Sequence, residues 1–106
     1  MKQLFFFALF TLLVSCGSLN KSGEKISGTY EVSCGMCNMD MTGDACELAI
    51  EIDGKKYYVE GSDLHDHGDA HADDGLCTVR RDAKVIGEIS KGVFVAESLE
   101  LLPFQP

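Results

Sequence analysis

A small, mainly β domain is what this sequence predicts, and three observations predict it. Residues Cys46 to Ile52 (CELAIEI) alternate cleanly, placing Leu48, Ile50 and Ile52 on one face, the period-2 signature of a half-buried strand. Asp53-Gly54 follows at once, a dipeptide suited to the two positive-φ positions of a type I′ hairpin. A second strand–Gly–strand unit runs from Ala83 to Leu102. With 106 residues the chain has room for one such domain.

Lys2 precedes an apolar run from Leu4 to Val14, broken only by Thr11. As a helix the run reaches about 16 Å, roughly half of the 30 Å hydrocarbon core of a bilayer. It therefore predicts a signal peptide over residues 1–15 and not a membrane span. The run ends in Leu13-Val14-Ser15-Cys16, which resembles the lipobox of bacterial lipoproteins. That resemblance implies that Cys16 becomes a lipidated N-terminus, anchoring the chain to a bilayer of the bacterial envelope. Gly17 and not Asp follows it, which favours the outer membrane. Residues 16–25 then read as the lipidated cysteine with a small, polar, flexible tether.

The domain itself is expected over residues 26–102, with residues 103–106 as a tail. Ile26 to Ser33 (ISGTYEVS) carries β-branched and aromatic residues in loose alternation, so it reads as a first strand. If Asp53-Gly54 is the loop of the first hairpin, Ile50 faces Tyr57 and Leu48 faces Val59, apolar against apolar. From Gly61 to Gly75 the pattern breaks: five aspartates and three histidines occur there with no Lys or Arg. Ser62 or Asp63 can cap a short helix in that stretch. Ala83 to Ile89 and Val93 to Leu102 form a second hairpin, turned by Ser90-Lys91-Gly92. The order strand, strand, strand, helix or loop, strand, strand resembles the oligonucleotide/oligosaccharide-binding (OB) fold. The segment AKVIGEISKGVFVAESLELL also resembles the last two strands of small bacterial envelope OB domains. The resemblance implies a small antiparallel OB-like barrel with one short helix or loop insert between strands 3 and 4.

Nine basic residues against seventeen acidic ones give a net charge of −8. No basic cluster is available to displace phosphate counterions, which argues against nucleic acid as a partner. The sequence has no Walker motif, GxGxxG, GxSxG or HExxH. No Ser, His or Asp falls in a motif that would fix a nucleophile, a base and a third group together, so no enzyme activity is expected.

The chemistry-bearing residues that remain are the cysteines and histidines. CGMCNMDMTGDAC holds Cys34, Cys37 and Cys46 with Met36, Met39 and Met41 between them, and Cys77 ends the acidic stretch. A domain of about 80 residues buries a thin core and often needs disulfides or a metal to hold it. Four cysteines apart from Cys16 permit two disulfides with three pairings, in keeping with an oxidising envelope. They also permit a metal site, since thiolates and thioethers are soft donors suited to Cu(I), and Cys with His suits zinc. Cys34-x2-Cys37 and His67-x3-His71 have ligand-pair spacings, and residues four apart share a helix face. The 29 residues between the pairs far exceed a zinc-finger spacing. Cys34, Cys37, Cys46 and Cys77 can instead close a four-thiolate site. The acidic segment lacks the EF-hand order, so its aspartates read as a solvated loop and not as a calcium site.

CGMCNMDMTGDACELAIEIDGKKYYVEG together with DHGDAHADDGLC resembles a family of small, uncharacterised bacterial lipoproteins. More distantly, a CxxC with a nearby Met, then strand, Asp-Gly and an aromatic strand, is similar to the copper-binding lipoprotein of nitrous-oxide reductase assembly. That likeness implies Cys34, Cys37 and Met39 as soft ligands, although Asn38 stands where that family has Gly before the Met. The expectation is an envelope-anchored, non-enzymatic accessory lipoprotein that binds Cu or Zn and hands it on or sequesters it. Its metal ligands would be Cys34, Cys37, Cys46, Cys77, His67, His71 and Met39, and its partners the bilayer, the metal ion and an envelope protein. One alternative is a disulfide-stapled structural or protein-interaction domain. Another is a thiol–disulfide oxidoreductase on Cys34 and Cys37, against which stands the lack of a recognisable helix start after the pair.

Overall fold

The computed structural model describes residues 23–105, so the expected signal peptide, the Cys16 lipid and most of the tether lie outside the described residues. Among the described residues five strands form: β1 (Glu24–Cys34), β2 (Leu48–Ile52), β3 (Lys55–Glu60), β4 (Arg81–Ser90) and β5 (Val93–Leu101). They close into a barrel in the order β1-β2-β3-β5-β4, with β4 returning to β1. This is the expected OB-like barrel.

Two details of the expectation are corrected. The barrel is mixed and not wholly antiparallel, because β3 and β5 pair in parallel through Tyr58↔Val93, Val59↔Phe94 and Glu60↔Val95. Direction alternates along the chain, so β1, β3 and β5 all run one way. Closing five alternating strands must then bring two like strands together at one seam. The second correction concerns helix. A single turn, α1 (Gly35–Asn38), follows β1 at the cysteine pair, where none was expected. The insert between β3 and β4 does hold a short helix, a 3-10 turn over Leu64–His67.

The first hairpin has the expected register, with Ile50 opposite Tyr57. Asp53 and Gly54 have φ of 53° and 86°, both left-handed as a type I′ turn requires. The second hairpin repeats the device at Lys91-Gly92, with φ of 54° and 80°, so Ser90 pairs with Val93. β4 bends at a register shift between Ile86 and Gly87. A Cβ on Gly87 would press on the Val95 carbonyl and lie 2.8 Å from the Phe94 ring. The glycine thus gives room to Phe94, the largest fully buried side chain, at the point where the sheet turns a corner.

Val32, Leu48, Ile50, Ile52, Val85 and Phe94 make the barrel core. Leu64, Ala70 and Leu76 of the acidic insert belong to the same cluster, so this segment packs these apolar side chains onto the barrel. Its aspartates do local work. Asp63 caps the 3-10 turn by accepting from His65 N–H, Asp66 accepts from Asp63 N–H, and Asp69 accepts from His71 N–H. Among the described residues no helix is long and apolar enough to cross a membrane.

Candidate metal centre

β1 ends at Cys34, whose side chain is fully buried. Cys34 is still extended (φ −67°, ψ 125°) and serves as N-cap to α1, which carries Cys37 on its exposed side. The turn is then closed by Met39 N–H and Met41 N–H, both donating to the Gly35 carbonyl at 3.2 and 3.1 Å. The chain comes back to β2 through Cys46, held beside α1 by Gly35 N–H to the Glu47 carbonyl at 2.9 Å. Cys46 therefore precedes β2, where the sequence pattern put it within the strand. Cys77 arrives from the acidic insert, its N–H on the Ala70 carbonyl at 2.8 Å.

These three segments bring all four sulfurs within 4.8 Å of one another, with Cys37 Sγ 3.9 Å from Cys46 Sγ. A tetrahedral ion bound at about 2.3 Å to each sulfur needs sulfur–sulfur edges of about 3.8 Å. The cluster has to draw in by about 1 Å at most to provide them. It is a four-thiol set close to coordinating distances, able to hold a metal ion.

A polar clamp fixes the segment that carries Cys77. The Leu76 carbonyl accepts from Cys34 N–H at 2.9 Å, from the Ser33 hydroxyl at 2.8 Å and from Asn38 Nδ2 at 3.1 Å. Asn38 Nδ2 also donates to Ser33 Oγ at 2.7 Å, and the single Ser33 hydroxyl proton is shared between the Leu76 carbonyl and the Val79 carbonyl, the latter at 3.0 Å. Arg80 adds a second tie, its Nε on the Asn38 carbonyl at 3.1 Å and its Nη1 on Glu31 and Glu51 at 3.1 and 2.8 Å. Tyr58 donates to the Thr42 carbonyl at 2.8 Å. A Cβ at Gly35 would sit 2.7 Å from the Tyr58 ring, and one at Gly43 2.8 Å from its hydroxyl. Those glycines let the cysteine loop lie flat on the tyrosine.

Burial acts to raise the Cys34 thiol, but hydrogen bonds from the Cys37 thiol and N–H, the Cys46 thiol and the Met36 N–H outweigh it and leave Cys34 below its usual value. Cys37 is pushed up to about 12, first by its hydrogen bond to Cys34, then by burial and by Cys46. Burial pushes Cys77 up, aided by the charges of Cys34 and Cys46. The cluster thus takes its first negative charge at Cys34 and resists more until a cation is present to accept them.

The grouped sulfurs are those of the four cysteines, and neither His67 nor His71 is among the grouped residues. His67 is hydrogen-bonded to Ser62 Oγ at 2.8 Å. The 3-10 turn stops there, with Gly68 at φ 93° as its C-cap, so His67 and His71 share no helix face. No histidine joins the metal-ligating group found among the described residues. Met39 is buried, 1% exposed, and the four thiols fill a tetrahedral set without it. The residues that the sequence reading passed over are Ser33, Asn38, Tyr58 and Arg80. Only Asn38 gave a signal, as the departure from the copper-lipoprotein pattern, and it proves to be a clamp residue.

Over residues 28–102 the chain matches a family described as of unknown function, DUF6370, and it belongs to that family. No curated protein and no solved structure matches it.

Proposed function

We propose that this member of the DUF6370 family is a non-enzymatic metal-binding domain that holds one zinc ion on Cys34, Cys37, Cys46 and Cys77. The observation that carries the reading is the mutual 4.8 Å approach of four sulfurs drawn from three separate segments. Four thiolates in a tetrahedral arrangement suit Zn(II) above Cu(I), which is content with fewer soft donors. Backbone N–H groups of Met36 and Cys37 directed at Cys34 support a thiolate in the way outer-shell donors support metal ligands. For a thin-cored barrel a bound ion is also a staple joining β1, the β2 approach and the acidic insert. The lipobox-like Leu13-Val14-Ser15-Cys16 supports an address on the bacterial envelope, with the outer membrane favoured.

Native mass spectrometry of the chain as isolated from its own cells, with a free-thiol count, tests this. One zinc per chain and four thiols protected by it are expected. Serine at any one of the four cysteines should weaken binding at least tenfold, while His67→Ala and His71→Ala leave it unchanged. A chain four hydrogens lighter than its reduced form, with no affinity for Zn(II) or Cu(I), overturns the proposal in favour of a disulfide-stapled domain.

A further inference from the structure

The four ligands differ in their access to solvent: Cys34 is fully buried, Cys77 is half-buried, and Cys37 and Cys46 are exposed. Cys37 and Cys46 also form one edge of the cluster, their sulfurs 3.9 Å apart. The surroundings of that edge are open. Every residue from Thr42 to Glu47 is exposed, and Met36, between Cys34 and Cys37, is 41% exposed. The two inner ligands are held by backbone instead, through Cys34 N–H on the Leu76 carbonyl and Cys77 N–H on the Ala70 carbonyl. Two of the four sulfurs thus face solvent, while Cys34 is shielded and Cys77 partly so.

On the tetrathiolate reading above, we infer that the ion is exchanged through the Cys37–Cys46 edge by direct attack of a thiol-bearing partner, while Cys34 and Cys77 retain it from within. The partner's sulfur bonds to the metal as the metal–sulfur bond of Cys37 breaks, and the partner's thiol proton passes to the Cys37 sulfur; the same swap repeats at Cys46 and last at Cys77 and Cys34, which hold the ion until then. The number of metal–thiolate bonds and the total charge stay constant, and no electron moves. A thiolate suits the step because it replaces a thiolate, leaving the ion in the same soft environment throughout. β1 runs from Glu24 to Cys34, about 30 Å at strand rise, so a partner reaches the cysteines at the end of β1 remote from Glu24.

The test uses the reduced, full chain loaded with zinc, its stoichiometry measured first. A chain that takes no zinc refutes the tetrathiolate reading itself. With zinc bound, release to a chromogenic chelator is followed at rising glutathione concentration, with S-methylglutathione as control. The rate should climb in proportion to glutathione and stay flat with the S-methyl compound. Alkylation of the zinc-loaded chain, mapped by peptide mass, should modify Cys37 and Cys46 at least tenfold faster than Cys34. A release rate independent of glutathione, or Cys34 modified as fast as Cys37, overturns the inference and leaves zinc binding intact.

Discussion

Replacing Asn38 by Ala removes the side chain that joins α1 to the segment bearing Cys77. Two hydrogen bonds are lost, to Ser33 Oγ at 2.7 Å and to the Leu76 carbonyl at 3.1 Å. The Leu76 carbonyl keeps Cys34 N–H and the Ser33 hydroxyl as donors, so no buried acceptor is orphaned. The cost is therefore that of two ordinary bonds, about 1–2 kcal/mol. Because the clamp positions Cys77 in the folded state, that free energy should appear as a 5- to 30-fold loss of zinc affinity. The assay is a competition titration against a chelator of known affinity, under conditions where circular dichroism shows the variant folded. A urea melt of the zinc-free protein gives the stability change alongside. A folded Asn38→Ala variant that binds zinc within twofold of the wild type would refute the claim that this clamp builds the site.

Three further outcomes are expected. Cys37, pushed up to about 12, and Cys77, also raised, hold their protons at neutral pH, so zinc binding must release at least two. Affinity should then fall about 100-fold per unit of acidification near pH 7, which titrations at pH 6, 7 and 8 measure directly; a flat profile would contradict it. In the zinc-free domain the raised Cys37 value leaves its contribution to stability complete below pH 9.0, lost as pH climbs toward 12. Gly87→Ala sets a methyl against the Val95 carbonyl and the Phe94 ring, overpacking worth about 1–3 kcal/mol. Its thermal midpoint should drop by roughly 10 °C, and an unchanged melt would show that the bend at Gly87 has room to spare. Cys16→Ala should move the protein out of the membrane fraction of its own cells, whereas a variant fractionating like the wild type would dismiss the lipid anchor.

Much of the barrel was legible because its strands carry local signals. Leu48, Ile50 and Ile52 alternate, and the two X-Gly turns demand left-handed backbone that few residues tolerate. The parallel β3–β5 seam has no local signature; it follows from closure. α1 was missed because one helical turn has no periodicity to detect, and its N-cap is a cysteine making no side-chain cap. The acidic insert read as solvated loop since its aspartates outnumber its anchors. Yet Leu64, Ala70 and Leu76, six residues apart, are what bring Cys77 to the barrel. The four cysteines could be named from composition, but not that they would come together without His67 and His71. That grouping depends on Gly68 ending the 3-10 turn and on Ser33, Asn38 and Arg80 drawing Cys77 toward Cys34. Those contacts span between 38 and 46 residues of chain, beyond the reach of any local pattern.

Zinc-edge X-ray absorption on the reduced, zinc-loaded chain tests the central claim most directly, since it reads the atoms around the ion. Four sulfur scatterers at about 2.3 Å and no nitrogen shell are predicted. A shell containing imidazole nitrogen or fewer than four sulfurs would contradict the account.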